Sequence, residues 1–367
     1  MAKEQNDLSK IYGSEKYPYY IYVPRWISSS AGIKALHYFC HSLNEQGYPA
    51  YLILTEGIHG GEPRVNARLR TPILTNEIAE SHFRAGLTPV VVYSETIPGN
   101  PLNATAVVRY LMNYAGALGG EKSFGENELV IAFSEKIAKH YAKKNNVEAP
   151  PVLFLPPIDP REIKRNDVKE EFQVVYAGKY RSFIGKPPGV GRLKSVEIFR
   201  DGPRMQSRKQ VLDLLRRASV VYSFENSSIV TEAILSGTPV YFVPNKFLGE
   251  IIASEELGTG GVALADSKIE IERARSTISL GIKAYFRSIE RYEVNLKEFI
   301  SNSQHYASTE GYVNRIQVPD LQYLVNAHRI SLARQILKHQ GIKTLFRVTY
   351  HFVMRRLSWR YWTGRER

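Results

Sequence analysis

Short β-branched and aromatic runs alternate with amphipathic helical patterns up to residue 150, break at a proline-rich passage, and then resume. Buried-type strands are expected at 19–23, 50–54, 88–93 and 129–133. Ile33, Leu36, Phe39, Cys40 and Leu43 give a helical period that closes at Gly47, and Ser134 is placed to cap a helix over 135–144. The passage P-P-V-L-F-L-P-P-I-D-P reads as a last strand entering a linker, completed by the charged stretch 161–171. Strands then follow at 172–177, 196–200, 220–224 and 239–243, with helices over 207–218, 227–236 and 270–300. Strands alternating with helices argue for parallel sheets, because the crossover between parallel strands needs a helix. The expectation is an α/β chain of two doubly wound domains facing a cleft, 1–165 and 166–300, followed by a basic helical extension over 301–367.

Composition narrows the chemistry. Cys40 is the sole cysteine, so an intrachain disulfide and multi-cysteine zinc sites are excluded. The first residues are polar with mixed charge, and no run approaches the roughly 20 apolar residues of a membrane span, so a soluble or peripheral cytoplasmic protein is expected. No Asp-x-Asp and no His/Cys/Asp cluster with ligand spacing occurs. No metal or other cofactor is therefore expected, and Arg, Lys and helix dipoles would have to meet any phosphate charge. Walker and G-x-G-x-x-G loops are also missing, which argues against kinases and dehydrogenases.

The segment F-E-N-S-S-I-V-T-E-A-I-L-S-G-T-P-V, residues 224–240, reads as strand, polar turn, helix, glycine, proline, strand. A helix beginning near Ser227 directs unpaired N–H groups and its positive end at the turn, an arrangement that suits a diphosphate. Glu232, farther along that helix, would accept both hydroxyls of a ribose. The segment resembles the donor-binding motif of GT-B glycosyltransferases, in particular the retaining group called family 4, in which a second glutamate opens an E-A-x-x-x-G-x-P-V run. Residues 232–240 match that run. The family spaces its two glutamates eight apart, whereas Glu225 and Glu232 are seven apart.

The resemblance extends in feature order over residues 15–300, including V-I-A-F-S-E-K-I-A-K-H-Y, the linker L-P-P-I-D-P-R, and a strand followed by Gly178-Lys179. It implies two Rossmann-like domains, a nucleotide-sugar donor and transfer with retention. It also implies an Arg and a Lys on the donor diphosphate, with Lys179, Arg181 and Lys186 competing for those roles and Arg181 and Lys186 preferred. The expected donor site is Gly178, Lys179, Arg181, Lys186, Asn226, Ser227, Ser228, Ile229 and Glu232.

In the first domain, the Ser-rich loop 28–32 stands where the family has a glycine-rich loop, so Ser29, Ser30 and Gly32 are acceptor-side residues. Glu95 and Asn100 leave a strand at its carboxyl end, the edge where open α/β sheets bind ligands. Glu95 is read as a general base if the reaction inverts, and Glu225 is taken as the second catalytic carboxylate. His59 is a weaker catalytic candidate, in the loop I-H-G-G-E-P.

The net charge of +13 is unevenly placed: residues 321–365 hold nine Lys/Arg and no Asp or Glu. Apolar residues and Trp359, Tyr361 and Trp362 join those cations, a composition suited to an anionic membrane surface at the inner face of the cell membrane. The expected acceptor is lipid-linked or a glycan. The alternatives are a nucleic-acid-binding protein that uses the basic tail, a GT-B-fold epimerase acting on nucleotide sugars, and an inactive partner subunit with a degenerate donor site.

Overall fold

The computed structural model describes residues 16–55, 64–199, 204–245, 250–310 and 316–318. His59 and the tail 321–367 lie outside the described residues. The first sheet contains β1 (Tyr19–Val23), β2 (Ala50–Leu54), β3 (Val90–Ser94), β4 (Ala106–Leu111) and β5 (Leu129–Ala132), all parallel, in the order β2-β1-β3-β4-β5. Its helices are α1 (Ala31–Glu45), α2 (Asn76–Arg84) and α3 (Glu135–Asn145). Every residue of β1, β3 and β4 is buried, as strands covered on both faces should be.

The second sheet is also parallel: β6 (Glu170–Tyr176), β7 (Lys194–Ile198), β8 (Ala218–Ser223), β9 (Val240–Phe242) and β10 (Val262–Ala263), in the order β10-β9-β8-β6-β7. Counted from its own first strand, it has the same second-first-third-fourth-fifth order as the first sheet. Its helices are α4 (Lys179–Phe183), α5 (Arg208–Arg217), α6 (Ser228–Leu235), α7 (Ser254–Leu257), α8 (Lys268–Ser276) and α9 (Ile278–Thr309). Two doubly wound domains are thus observed, as expected.

Local chemistry explains several boundaries. The hydroxyl of Ser134 accepts the Ile137 N–H at the start of α3. Ser207 and Gln210 form a reciprocal capping box on α5. Gly237, at φ +82°, ends the α6 turn, and a Cβ there would lie 2.9 Å from the Asn166 carbonyl oxygen.

The single helix expected over 270–300 is two helices, α8 and α9, which break at Thr277. The hydroxyl of Thr277 donates back to the α8 carbonyls of Arg273 and Ala274. Helix α9 also runs past residue 300. Its first half packs Tyr285 with Ile158 and Leu235. Its second half places Tyr292, Leu296, Phe299, Ile300 and Ala307 in the first domain's core beside Tyr19 and Phe39. Ser303 is hydrogen-bonded to the Tyr19 hydroxyl at 2.7 Å, and Gln304 holds both the N–H and the carbonyl of Tyr17. The helix therefore belongs to both domains. Among the described residues, no helix is long and apolar enough to cross a membrane.

Candidate functional site

A doubly wound sheet opens a crevice at the carboxyl ends of the two strands where its order reverses. In the first sheet these are β1 and β3, which lead into loop 28–30 and into Glu95. In the second they are β6 and β8, which lead into Gly178-Lys179 and into residues 224–228. The two turns and the helix start that carry the expected chemistry therefore sit at two topologically equivalent switch points.

On the second-domain side, Glu225 follows β8 and its Oε2 accepts the Lys179 N–H at 2.8 Å, closing the start of α4 from across the crevice. Gly178 makes this possible. It adopts φ +49°, and a Cβ there would come within 2.4 Å of Glu225 Oε1. Ser227 is the N-cap of α6 in extended conformation, and its side chain makes no capping hydrogen bond. The first N–H groups of α6 are thus not satisfied by that side chain.

Glu232 departs from expectation. It is buried rather than an open cleft carboxylate, with both oxygens held by cations. Arg208 donates to Oε2 at 2.6 Å, and the ammonium of Lys34, from α1 of the other domain, lies 3.5 Å from Oε1. Lys34 Nζ is also 3.4 Å from the Ser228 hydroxyl, and its side chain is only 6% exposed. Burial lowers the Lys34 pKa, the Glu232 charge opposes that shift, and Arg208 adds to it. Arg208 has a second carboxylate, Glu162 of the linker, at 3.6 Å.

On the first-domain side, Glu95 is 2% exposed and accepts the Met112 N–H at 3.0 Å. Burial pushes its carboxyl up to about 7, against the opposing pull of the backbone N–H groups of Met112 and Glu95 and of the Lys179 charge. Gly120 presses on the same turn at φ +76°, where a Cβ would meet the Glu95 carbonyl oxygen at 2.0 Å. Below it, Arg109 is fully buried in β4. It is forked onto Glu128 at 2.6 and 2.9 Å and donates to the carbonyls of Ile97 and Gly99, so it holds the loop that carries Glu95. Ser30 caps α1 in extended conformation without a side-chain cap bond. Ser29 is exposed, and Gly32 faces Met112 at ordinary contact distance, so close backbone approach is not what requires a glycine there.

Four expected ligand residues are committed elsewhere. The Arg181 guanidinium forks onto Glu197, with both contacts at 2.5 Å, which neutralises the charge meant for the diphosphate. The amide of Asn100 is spent on its own loop, accepting from Tyr93 and the Ala104 N–H and donating to the Ala104 carbonyl. Ile229 is 5% exposed within the second domain's core, so only its backbone N–H can serve a ligand. Asn226 donates to the Glu250 carbonyl and accepts from the Ile252 N–H. That loop carries Ile252 into a first-domain cluster with Leu111, Ala132 and Ile137, so Asn226 ties the turn to the domain interface. Lys186 lies exposed beyond α4.

Lys34 is the residue that sequence reasoning missed. Within α1 it falls between the apolar positions 33 and 36 and has the appearance of an ordinary solvated lysine; only the facing domain buries it. Among the described residues, no group of three or more His, Cys, Asp or Glu is placed to hold a metal ion.

No protein-family model and no curated protein matches the chain. Among solved structures it is similar to a glycosyltransferase involved in avilamycin A biosynthesis, at 17% identity and TM-score 0.42, covering 78% of this chain and 98% of that one. It is also similar to WaaG, a glycosyltransferase involved in lipopolysaccharide biosynthesis, at 15% identity, TM-score 0.40 and coverage of 85% and 99%. A third is a Listeria monocytogenes protein assigned as a UDP-N-acetylglucosamine 2-epimerase, at 8% identity, TM-score 0.41 and coverage of 89% and 97%. What the crevice can bind is decided by its own side chains.

Proposed function

We propose that the chain is a metal-independent glycosyltransferase that moves a sugar from a nucleotide-sugar donor to a lipid-linked or glycan acceptor in surface glycan biosynthesis. One observation carries this reading: the two switch points meet, with first-domain Lys34 reaching Ser228 and Glu232 at the start of α6. The α6 N-terminus, Ser227, Ser228 and Lys179 would receive the donor diphosphate. Glu225 and Gly178 shape the floor beside the sugar. Glu95, in the facing domain with a pKa near neutrality, suits proton transfer on the acceptor side.

In the reaction the bond between the anomeric carbon and the diphosphate oxygen breaks, and the nucleoside diphosphate leaves with the electron pair. The acceptor hydroxyl oxygen forms the new bond and gives up its proton. The family resemblance implies retention. Inversion would make Glu95 the general base, and the anomeric configuration of the product distinguishes the two. The basic sequence 321–365 supports attachment to an anionic membrane, the compartment of a lipid-linked acceptor.

The test is incubation of the full chain with UDP-, GDP-, dTDP- and CMP-sugars plus a lipid extract, following both label transfer and nucleotide release. Acceptor-dependent release from one donor is expected. Conversion of a nucleotide sugar to its epimer without acceptor would replace this reading with the epimerase one. Indifference to every sugar nucleotide together with salt-sensitive nucleic-acid binding would replace it with a binding protein.

A further inference from the structure

We infer that Lys34 is a positioning residue that changes partners, leaving Glu232 for the donor diphosphate as the ribose takes its place. The inference rests on the donor reading above. Three observations carry it. First, Glu232 has no oxygen without a cation, because Arg208 holds Oε2 at 2.6 Å and Lys34 stands 3.5 Å from Oε1. A ribose hydroxyl can reach that carboxylate only if one cation withdraws. Second, the cation able to withdraw is Lys34. Its contact is the longer of the two and crosses between domains, whereas Arg208 belongs to the same domain as Glu232 and is further tethered by Glu162. Third, its destination is within reach, because Nζ already lies 3.4 Å from the hydroxyl of Ser228, the first residue of α6.

Chemistry gives the exchange its direction. A lysine at the positive end of a helix and beside Arg208 is repelled by both, and Glu232 alone compensates it at close range. A diphosphate arriving at the α6 N-terminus carries more negative charge than one carboxylate and reverses that balance. Glu232, relieved of the ammonium, keeps Arg208 as its orienting partner and gains hydroxyl donors from the ribose. The lysine would thereby make diphosphate recognition depend on the two domains being together, while Arg181, already forked onto Glu197, contributes little.

The experiment is calorimetric titration of full-length wild type, Lys34→Met and Lys34→Arg. The ligand is whichever of UDP, GDP and dTDP binds wild type most tightly, set beside its parent nucleoside. The expected signature is divergence. Lys34→Met weakens the diphosphate roughly ten- to a hundredfold, the value of one charge-assisted contact. Its affinity for the nucleoside holds or rises because the competitor for Glu232 is gone, and Lys34→Arg recovers most of the diphosphate affinity. Equal weakening of both ligands would make Lys34 a structural strut, and tightening of both would make it only a competitor. Either result, or no change in either ligand, overturns the exchange while the donor reading stands. If wild type binds none of the three diphosphates, the donor reading fails and takes the exchange with it. Urea unfolding of each variant confirms that the titrated protein is folded.

Discussion

The two switch points share a topology and handle charge in opposite ways. In the second domain each acidic side chain meets a donor: Glu225 has the Lys179 N–H, Glu197 has Arg181, and Glu232 has Arg208 and Lys34. These contacts favour the ionised forms. In the first domain Glu95 is buried and held through backbone N–H groups, with Lys179 felt only at a distance, and its proton affinity rises. A single sheet order therefore yields a phosphate-facing edge in one domain and a proton-handling edge in the other. The difference lies in which loops supply cations.

The largest test of this contrast is Glu232→Ala. It strands the buried Lys34 ammonium without its close carboxylate and should lower stability by about 3–5 kcal/mol in urea unfolding, as well as removing nucleoside binding. A near-neutral result would mean that the cluster is solvated and the second edge is not pre-paired.

Glu95→Gln tests the other edge. Between the ordinary carboxyl value of 4.5 and about 7, the unfolded chain ionises Glu95 while the folded chain keeps its proton. The folded state then binds more protons, so wild-type stability falls as pH rises through that window and levels off above it. Glutamine cannot ionise, so the variant should lose this slope and exceed wild type by up to about 3 kcal/mol at pH 8. Parallel stability curves for the two proteins would place Glu95 in contact with water or with a cation.

Arg181→Ala should produce a smaller effect. The Arg181–Glu197 pair is partly exposed, so its loss should cost about 1 kcal/mol or less, and nucleoside diphosphate affinity should change less than threefold. A tenfold loss would return Arg181 to the diphosphate. The smallest expected effect is that of chelation: EDTA should leave transfer unchanged, and a strict requirement for manganese or magnesium would show that cations other than side chains meet the diphosphate.

Much of this contrast could be read before any fold was known, because it follows from local pattern. Strands β1 and β2 stand at the positions that their apolar runs indicate, and Ser134 and Ser207 cap their helices as hydroxyls before helical runs do. The segment 224–240 contains strand end, turn, helix and strand in the order that its glycine and proline require. Strand β4 escaped notice because Arg109 interrupts an apolar run, and only Glu128, 19 residues away, makes that arginine a core residue. The pairings that decide the site escaped for the same reason. Arg181 with Glu197, Glu232 with Arg208 and Lys34, and Asn226 with the Glu250–Ile252 backbone join residues from 16 to 198 positions apart, and spacing along the chain carries no signal for them.

The central claim is that the two edges form one ligand site, and amide hydrogen exchange on the full chain tests it most directly. The measurement compares the protein alone with the protein saturated by whichever of UDP, GDP and dTDP raises its melting temperature most. The account predicts new protection in both domains at once, at 227–231 where α6 begins and at 28–34 and 95–96 on the facing edge. Protection confined to the second domain, or absent with all three nucleotides, would contradict it.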